Sequence, residues 1–152
     1  MARASARVEI VSVVKKSGTS KTDSVAKLRE AGLRPTRQRA ALAELLFRDG
    51  DRHVTAEAVH SEAAKAGVRV SLATVYNTLH QFTEAGLLRQ VTVDAERFYF
   101  DTNTGSHQHF FCEDDGELID IPGEHIEVAG VPTPPKGMAV DRVDVVVRLK
   151  RA

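Results

Sequence analysis

The chain has 152 residues, 42% of them hydrophobic and 28% charged, with 21 Lys+Arg balanced by 21 Asp+Glu. That composition is ordinary for a globular protein of one domain or two small ones, and it excludes a disordered tail-like chain or a membrane-spanning one, since no apolar run is long enough to cross a bilayer. The single cysteine, Cys112, excludes an internal disulfide and a zinc clamp built from two CxxC pairs.

The balance of charge is uneven along the chain. Residues 1–101 carry 16 basic and 12 acidic residues, a surplus of four positive charges; residues 102–152 carry 5 and 9, a surplus of four negative. Such a split suits a polyanion-binding first part joined to something else. Residues 1–21 hold Arg3, Arg7, Lys15, Lys16 and Lys21 among Ser, Gly and Thr, and read as a basic N-terminal arm. Residues 8–14 are too short and interrupted for a signal-peptide core, so a cytoplasmic location is expected.

Residues 24–31 predict a first helix with Val25, Leu28 and Ala31 on one side, ended by Gly32. After the connector Leu33-Arg34-Pro35, Thr36 caps a second helix over about 37–48, with Ala40, Leu42, Leu45 and Leu46 inward. Arg34, Arg37 and Arg39 crowd its start, where the helix dipole disfavours positive charge. A phosphate from outside would remove that conflict. Residues 47–53 read as a polar link. Thr55 caps a third helix over 56–66, with Ala56, Val59 and Ala63 inward, and Val68-Arg69-Val70 is a short extended piece.

Ser71 then caps a fourth helix that Gly86 ends. Leu72, Val75, Leu79 and Phe82 fall on one side at helical spacing. The other side carries Ser71, Thr74, Tyr76, Asn77, Thr78 and Gln81, short uncharged donors and acceptors where a solvated face usually shows Lys and Glu. A face of this kind suits a DNA major groove. Taken by itself it reads equally well as an ordinary amphipathic helix with a Ser/Thr-rich exterior. Strands over 87–93 and 97–101, joined by Asp94-Ala95-Glu96, complete a winged helix-turn-helix arrangement.

Residues 102–106 are polar and predict a hinge. Beyond them, strands are expected at 107–112, 117–121 and 141–149, with a short helix at 124–129. The expected fold class is therefore α+β: a winged-helix domain at 22–101 and a small α/β domain at 107–152 with a three-stranded sheet. A unit of about 50 residues is marginal alone and gains most by pairing with its own copy. His107-Gln108-His109 places two imidazoles on one side of a strand, about 7 Å apart at Cα, close enough to share a metal ion. Asp101 ends the wing, Asp120 lies on the neighbouring strand, and His53 stands at the mouth of the third helix. His and carboxylate ligands suit Fe²⁺, Mn²⁺ or Zn²⁺. Cys112 reads as a small core residue, His60 and His80 as structural or solvent-facing, and His125, near Glu124 and Glu127, as a candidate for a second site.

Four stretches carry a resemblance. Residues 32–39 (GLRPTRQR), 53–57 (HVTAE), 71–79 (SLATVYNTL) and 107–109 (HQH) occur in the order and spacing of the ferric uptake regulator (Fur) family. Residues 87–91, 99–103, 118–122 and 141–150 are most similar to its iron response regulator (Irr) branch. The resemblance implies a dimeric winged-helix transcription regulator whose metal site maps to His53, Asp101, His107, His109 and Asp120. It also implies Thr74 and Tyr76 near bases and Arg34 and Arg37 near phosphates. Thr36, Arg39, Ser71 and Asn77 complete the expected DNA face.

There are departures from the family pattern. Many members hold a structural zinc with two CxxC pairs; here Asp115 stands where the second cysteine would be, so no four-cysteine zinc is expected. Gln108 stands where relatives often carry His or Asp. Some Irr proteins have an N-terminal Cys-Pro haem motif that this chain lacks, so haem would use His107 and His109. The resulting expectation is an operator-binding homodimer, without membrane attachment, that governs iron and haem metabolism genes through a divalent metal or haem. A peroxide- or other metal-sensing repressor is the same-fold alternative. A metallo-hydrolase is the different-class one, and it lacks a visible phosphate loop or nucleophile–base pair. A winged helix used only for protein contacts is disfavoured by Arg34, Arg37 and Arg39.

Overall fold

The structure is a computed structural model that describes residues 21–122 and 126–152. Of the expected basic arm at 1–21 only Lys21 is described, as the first residue of a helix; the rest of the arm and His125 lie outside the described residues. The element order is α1 (Lys21–Glu30), α2 (Arg37–Phe47), β1 (His53–Val54), α3 (Ala56–Lys65), α4 (Leu72–Glu84), β2 (Arg89–Thr92), β3 (Phe98–Asp101), β4 (His109–Cys112), β5 (Glu117–Asp120) and β6 (Val146–Leu149). This is the expected α+β class: a winged helix-turn-helix followed by a small three-stranded sheet.

Local chemistry sets the helix starts. Thr36, Thr55 and Ser71 each accept a backbone N–H three residues ahead, from Arg39 (3.2 Å), Ala58 (3.2 Å) and Thr74 (3.1 Å). Gly86 adopts φ 80°, a left-handed conformation that stops α4 and turns the chain into the wing. One core joins the four helices to the wing: Leu28, Leu42, Leu46, Val59, Val75, Leu79, Phe82 and Phe100 are fully or almost fully buried within it.

The sequence reading of α4 needs two corrections. Leu72, expected inward, is 37% exposed, because the first turn of α4 projects beyond the core. Thr78, expected on the polar face, is buried, since it sits between Val75 and Phe82 on the stripe that the helical repeat dictates. Phe47, expected in a polar link, ends α2 and is buried.

The wing gains a third strand. His53, read as the end of the link, and Val54 form β1 and pair antiparallel with β3, giving the order β1-β3-β2. The register places His53 directly opposite Asp101, and Arg89 opposite Asp101 on the other side. The second sheet has the order β5-β4-β6, with β4 antiparallel to β5 and parallel to β6. His109 is opposite both Asp120 and Val146. Its first strand begins at His109, so His107 and Gln108 precede it, and the last strand is shorter than expected at Val146–Leu149. The helix expected at 124–129 does not form over its described residues, 126–129. A second cluster of Val91, Val93, Phe111 and Leu118, with Tyr99 and Val146 against it, packs the wing on this sheet.

Candidate metal centre and nucleic-acid interface

Two register positions and one short loop build the site. The β1–β3 pairing sets His53 beside Asp101, the β4–β5 pairing sets His109 beside Asp120, and His107 joins them from just ahead of β4. One side-chain atom from each of the five lies within 4.8 Å of all the others. Asp101 Oδ2 is 3.1 Å from His53 Nε2, 2.8 Å from His107 Nε2 and 3.0 Å from His109 Nε2. Asp120 Oδ1 is 2.8, 3.1 and 3.2 Å from the same three nitrogens. Asp101 and His109 are buried, and His53 and His107 half-buried.

Three observations say that this cluster fits a cation. First, His107 Nδ1 lies 2.7 Å from the Gly105 carbonyl. A carbonyl carries no proton, so Nδ1–H donates, and the neutral ring keeps its lone pair on Nε2. That lone pair faces the Asp101 carboxylate at 2.8 Å, an arrangement that is repulsive unless a proton or metal ion sits between them. Second, Asp120 Oδ1 is buried near three imidazoles yet is aligned for a hydrogen bond with none of the described groups. Third, two carboxylates with three neutral imidazoles carry two negative charges, which a divalent ion cancels; three nitrogens and two oxygens suit Fe²⁺, Mn²⁺ or Zn²⁺.

Proton affinities follow the same field. Burial pulls His53 down, but the Asp101 hydrogen bond and the negative charges of Asp101 and Asp120 outweigh it and hold the imidazole above its ordinary value. Burial pushes Asp101 up, but His109, His53 and the Asn103 backbone N–H (2.9 Å) hold it well below the usual carboxylate range. The site thus draws positive charge in whichever form is available.

The other candidate residues divide. Arg34, Thr36, Arg37, Ser71 and Asn77 are exposed, and Thr74 and Tyr76 are half-exposed. Thr36 and Ser71 serve as helix caps, and Ser71 Oγ also donates to Thr74 Oγ1 at 2.9 Å. Tyr76 donates its hydroxyl proton to Glu57 on α3, which lowers the Glu57 carboxyl. Arg39, expected at phosphates, donates to Gln81 Oε1 on α4 (2.9 and 3.3 Å) and to the Arg34 carbonyl (3.0 Å). It ties α2 to α4.

Arg69, which the sequence reading passed over, is exposed and shares a depression with Arg37 and Gln38. Its place two residues before the cap of α4 was the available signal. Cys112, expected in the core, is half-exposed, and its thiol lies 3.3 Å from Asp115. His80 is exposed as expected, with its ring against Phe98 and Phe100. No helix among the described residues is long and apolar enough to cross a membrane.

Comparison with known proteins agrees with this geometry. The profile of the Ferric uptake regulator family matches residues 30–146. The chain is 35% identical over 99 residues to the peroxide-responsive repressor PerR of Staphylococcus aureus, a match covering 65% of this chain and 66%, just under two thirds, of that protein. Among solved structures it resembles the ferric uptake regulator from Pseudomonas aeruginosa with manganese at 32% identity and TM-score 0.65, over 83% of this chain and 96% of the other. The Vibrio cholerae ferric uptake regulator shares the fold at TM-score 0.66 and 23% identity, over 85% and 100% of the two chains. The helices with their wing, the second sheet and the profile match together place this chain in the ferric uptake regulator family.

Proposed function

We propose that this protein is a DNA-binding, metal-responsive transcription regulator that acts as a homodimer, and that it belongs with the Irr-like regulators of iron and haem metabolism genes. The observation that carries the reading is the five-residue cluster itself. His53 and Asp101 belong to the wing sheet, while His109 and Asp120 belong to the second sheet and His107 just precedes it. An ion held by all five favours one relation between the winged-helix domain, at 22–101, and the domain at 107–152. It therefore biases any DNA affinity that depends on that relation.

In this reading α4 enters the major groove. Thr74, Tyr76 and Asn77 face base edges, while Arg34, Arg37 and the α2 and α4 caps Thr36 and Ser71 sit near phosphates. Arg39 acts by fixing Gln81 and the start of α2. The second sheet mediates pairing with the other copy, which spaces two α4 helices for two half-sites. Fe²⁺ or Mn²⁺ is the physiological ion, with Zn²⁺ binding in vitro. Haem, if it is the signal, uses His107 and His109.

The test is an operator-binding titration with chelator-treated protein, alone and with Fe²⁺, Mn²⁺ or haem. A metal-dependent change in affinity that His107→Ala/His109→Ala abolishes supports the reading. Affinity indifferent to every ligand overturns it.

The similarity to the staphylococcal peroxide-responsive repressors favours a second reading, in which the Fe²⁺-loaded protein senses peroxide through oxidation of a ligand histidine. Oxygen addition to the peptide bearing His107 and His109, found after peroxide treatment with Fe²⁺ and absent with Mn²⁺, selects it.

A further inference from the structure

β2 is the edge strand of the wing sheet, so its outward carbonyls have no strand to pair with. Arg142, ahead of β6, and Arg148, on it, reach carbonyls of β2 and of the residue just after it. Arg142 Nη2 donates to the Gln90 carbonyl at 3.2 Å, and Arg148 donates to the Val93 carbonyl. Arg148 also donates to Glu113 at 2.6 Å, and Glu113 accepts from Arg97 of the wing at 3.2 Å.

At the other end Arg89, 8% exposed on β2, forms an ion pair with Asp144, which Arg142 also holds at 3.0 Å. The second terminal nitrogen of Arg89 reaches the hinge carbonyl of Gly105 at 3.2 Å and the backbone carbonyl of His107 at 3.4 Å. The same segment grips the histidine strand. Val145 donates its N–H to Gln108 Oε1 at 2.6 Å, and its carbonyl accepts the His109 N–H at 3.3 Å.

We propose that residues 142–148 form an ionic strap that favours, alongside the metal ion, the docking of the wing against the second sheet, and that Arg89 is a positioning residue for His107. The strap crosses from the second sheet to the wing at four points, Gln90, Val93, Arg89 and Arg97 through Glu113, none of them a metal ligand. Arg89 touches the hinge at Gly105 and the chain just beyond it at His107, so it sets where His107 enters the cluster. The strap raises the share of metal-free molecules in the docked arrangement and so lowers the penalty for gathering the ligands, and the ion completes the shift.

The operator arm of the test rests on the proposed function; the scattering arm does not. Arg142→Gln/Arg148→Gln removes the exposed part of the strap and leaves the buried Arg89–Asp144 pair in place. In small-angle X-ray scattering, chelator-treated wild type should have a radius of gyration only slightly larger than that of the Mn²⁺-loaded protein. The metal-free double variant should expand, contract again on adding Mn²⁺ and keep its helical circular dichroism throughout.

Its operator affinity should fall about three- to tenfold more without Mn²⁺ than with it, the scale of several partly exposed ion pairs lost together. Arg89→Lys keeps the charge but loses the planar fork, and should weaken Mn²⁺ binding by about tenfold or more, as outer-shell changes do. A metal-free double variant as compact as wild type overturns the strap. Equal affinity losses with and without Mn²⁺ overturn it as well, since the arginines would then be simple DNA contacts. Unchanged Mn²⁺ affinity in Arg89→Lys overturns the positioning role.

Discussion

Replacing Asp101 by Asn tests the site at its centre. Asp101 is fully buried, and one of its oxygens lies 2.8–3.1 Å from all three imidazoles. Asn keeps the shape and one acceptor oxygen but removes a negative charge from a set whose fit to a divalent ion depends on two. Even residues that only support a ligand weaken metal binding by about 10–100-fold when changed, so loss of a ligand charge should weaken it by about 100-fold or more. The consequence is readable as stability. At free metal one hundred times the dissociation constant, a bound ion adds about 2.7 kcal/mol, which lifts Tm by roughly 5–11 °C for a chain of this size. In Asp101→Asn at the same metal concentration, only about 0.4 kcal/mol remains, or roughly 1–2 °C. Thermal melts of chelator-treated protein with and without Mn²⁺ measure both, and each variant's metal-free melt is its own baseline. An undiminished metal-induced shift in Asp101→Asn would refute the assignment of Asp101 as a ligand.

Other outcomes follow from the same structure. Operator affinity should fall steeply with salt, and Arg37→Gln should reduce the slope of log affinity against log salt by about 1; Thr74→Ala should leave the slope unchanged and cost about 1–3 kcal/mol at a single base-pair position. His53, raised in the metal-free fold, contributes stability that is complete below its unfolded value of about 6.5 and is lost as pH rises through the folded value. Melts of chelator-treated wild type against His53→Gln should show that loss, while Mn²⁺ affinity, which needs the neutral ring, should rise with pH over the same window. Phe82→Ala, at a position with no exposure, should cost about 3–5 kcal/mol of unfolding free energy in denaturant titration.

The helices and the wing were legible because each carries its own period and its own stop. Thr36, Thr55 and Ser71 cap as their residue types suggest, and the α4 stripe at Val75, Leu79 and Phe82 is buried as spaced. Leu72 and Thr78 were misread because polarity was weighed over position: the stripe reaches Thr78, and the core ends before Leu72. β1 is two residues long, too short for an alternating pattern, and only its pairing with β3 defines it.

The five cluster residues were nameable from ligand chemistry and local placement. Their convergence was not, because it depends on two register pairings and on the parallel docking of β6, which no local pattern encodes. Arg39 illustrates the same limit. Its tie to Gln81 on another helix is a tertiary contact that no pattern at a helix start foretells.

The parallel pairing of β4 with β6 also sets an order of events during synthesis. The core of α1 to β3 closes through residues that leave the ribosome together, whereas Phe111 and His109 wait for Val146–Leu149 before their strand is flanked on both sides. At about 5–20 residues per second, the interval between the emergence of α4 and of β6 is roughly 3–13 s. For that interval a nascent chain presents a finished helix for DNA and an unfinished sensor. The chain's own sequence order thus makes the response to metal a late acquisition of a binder whose shape is already set.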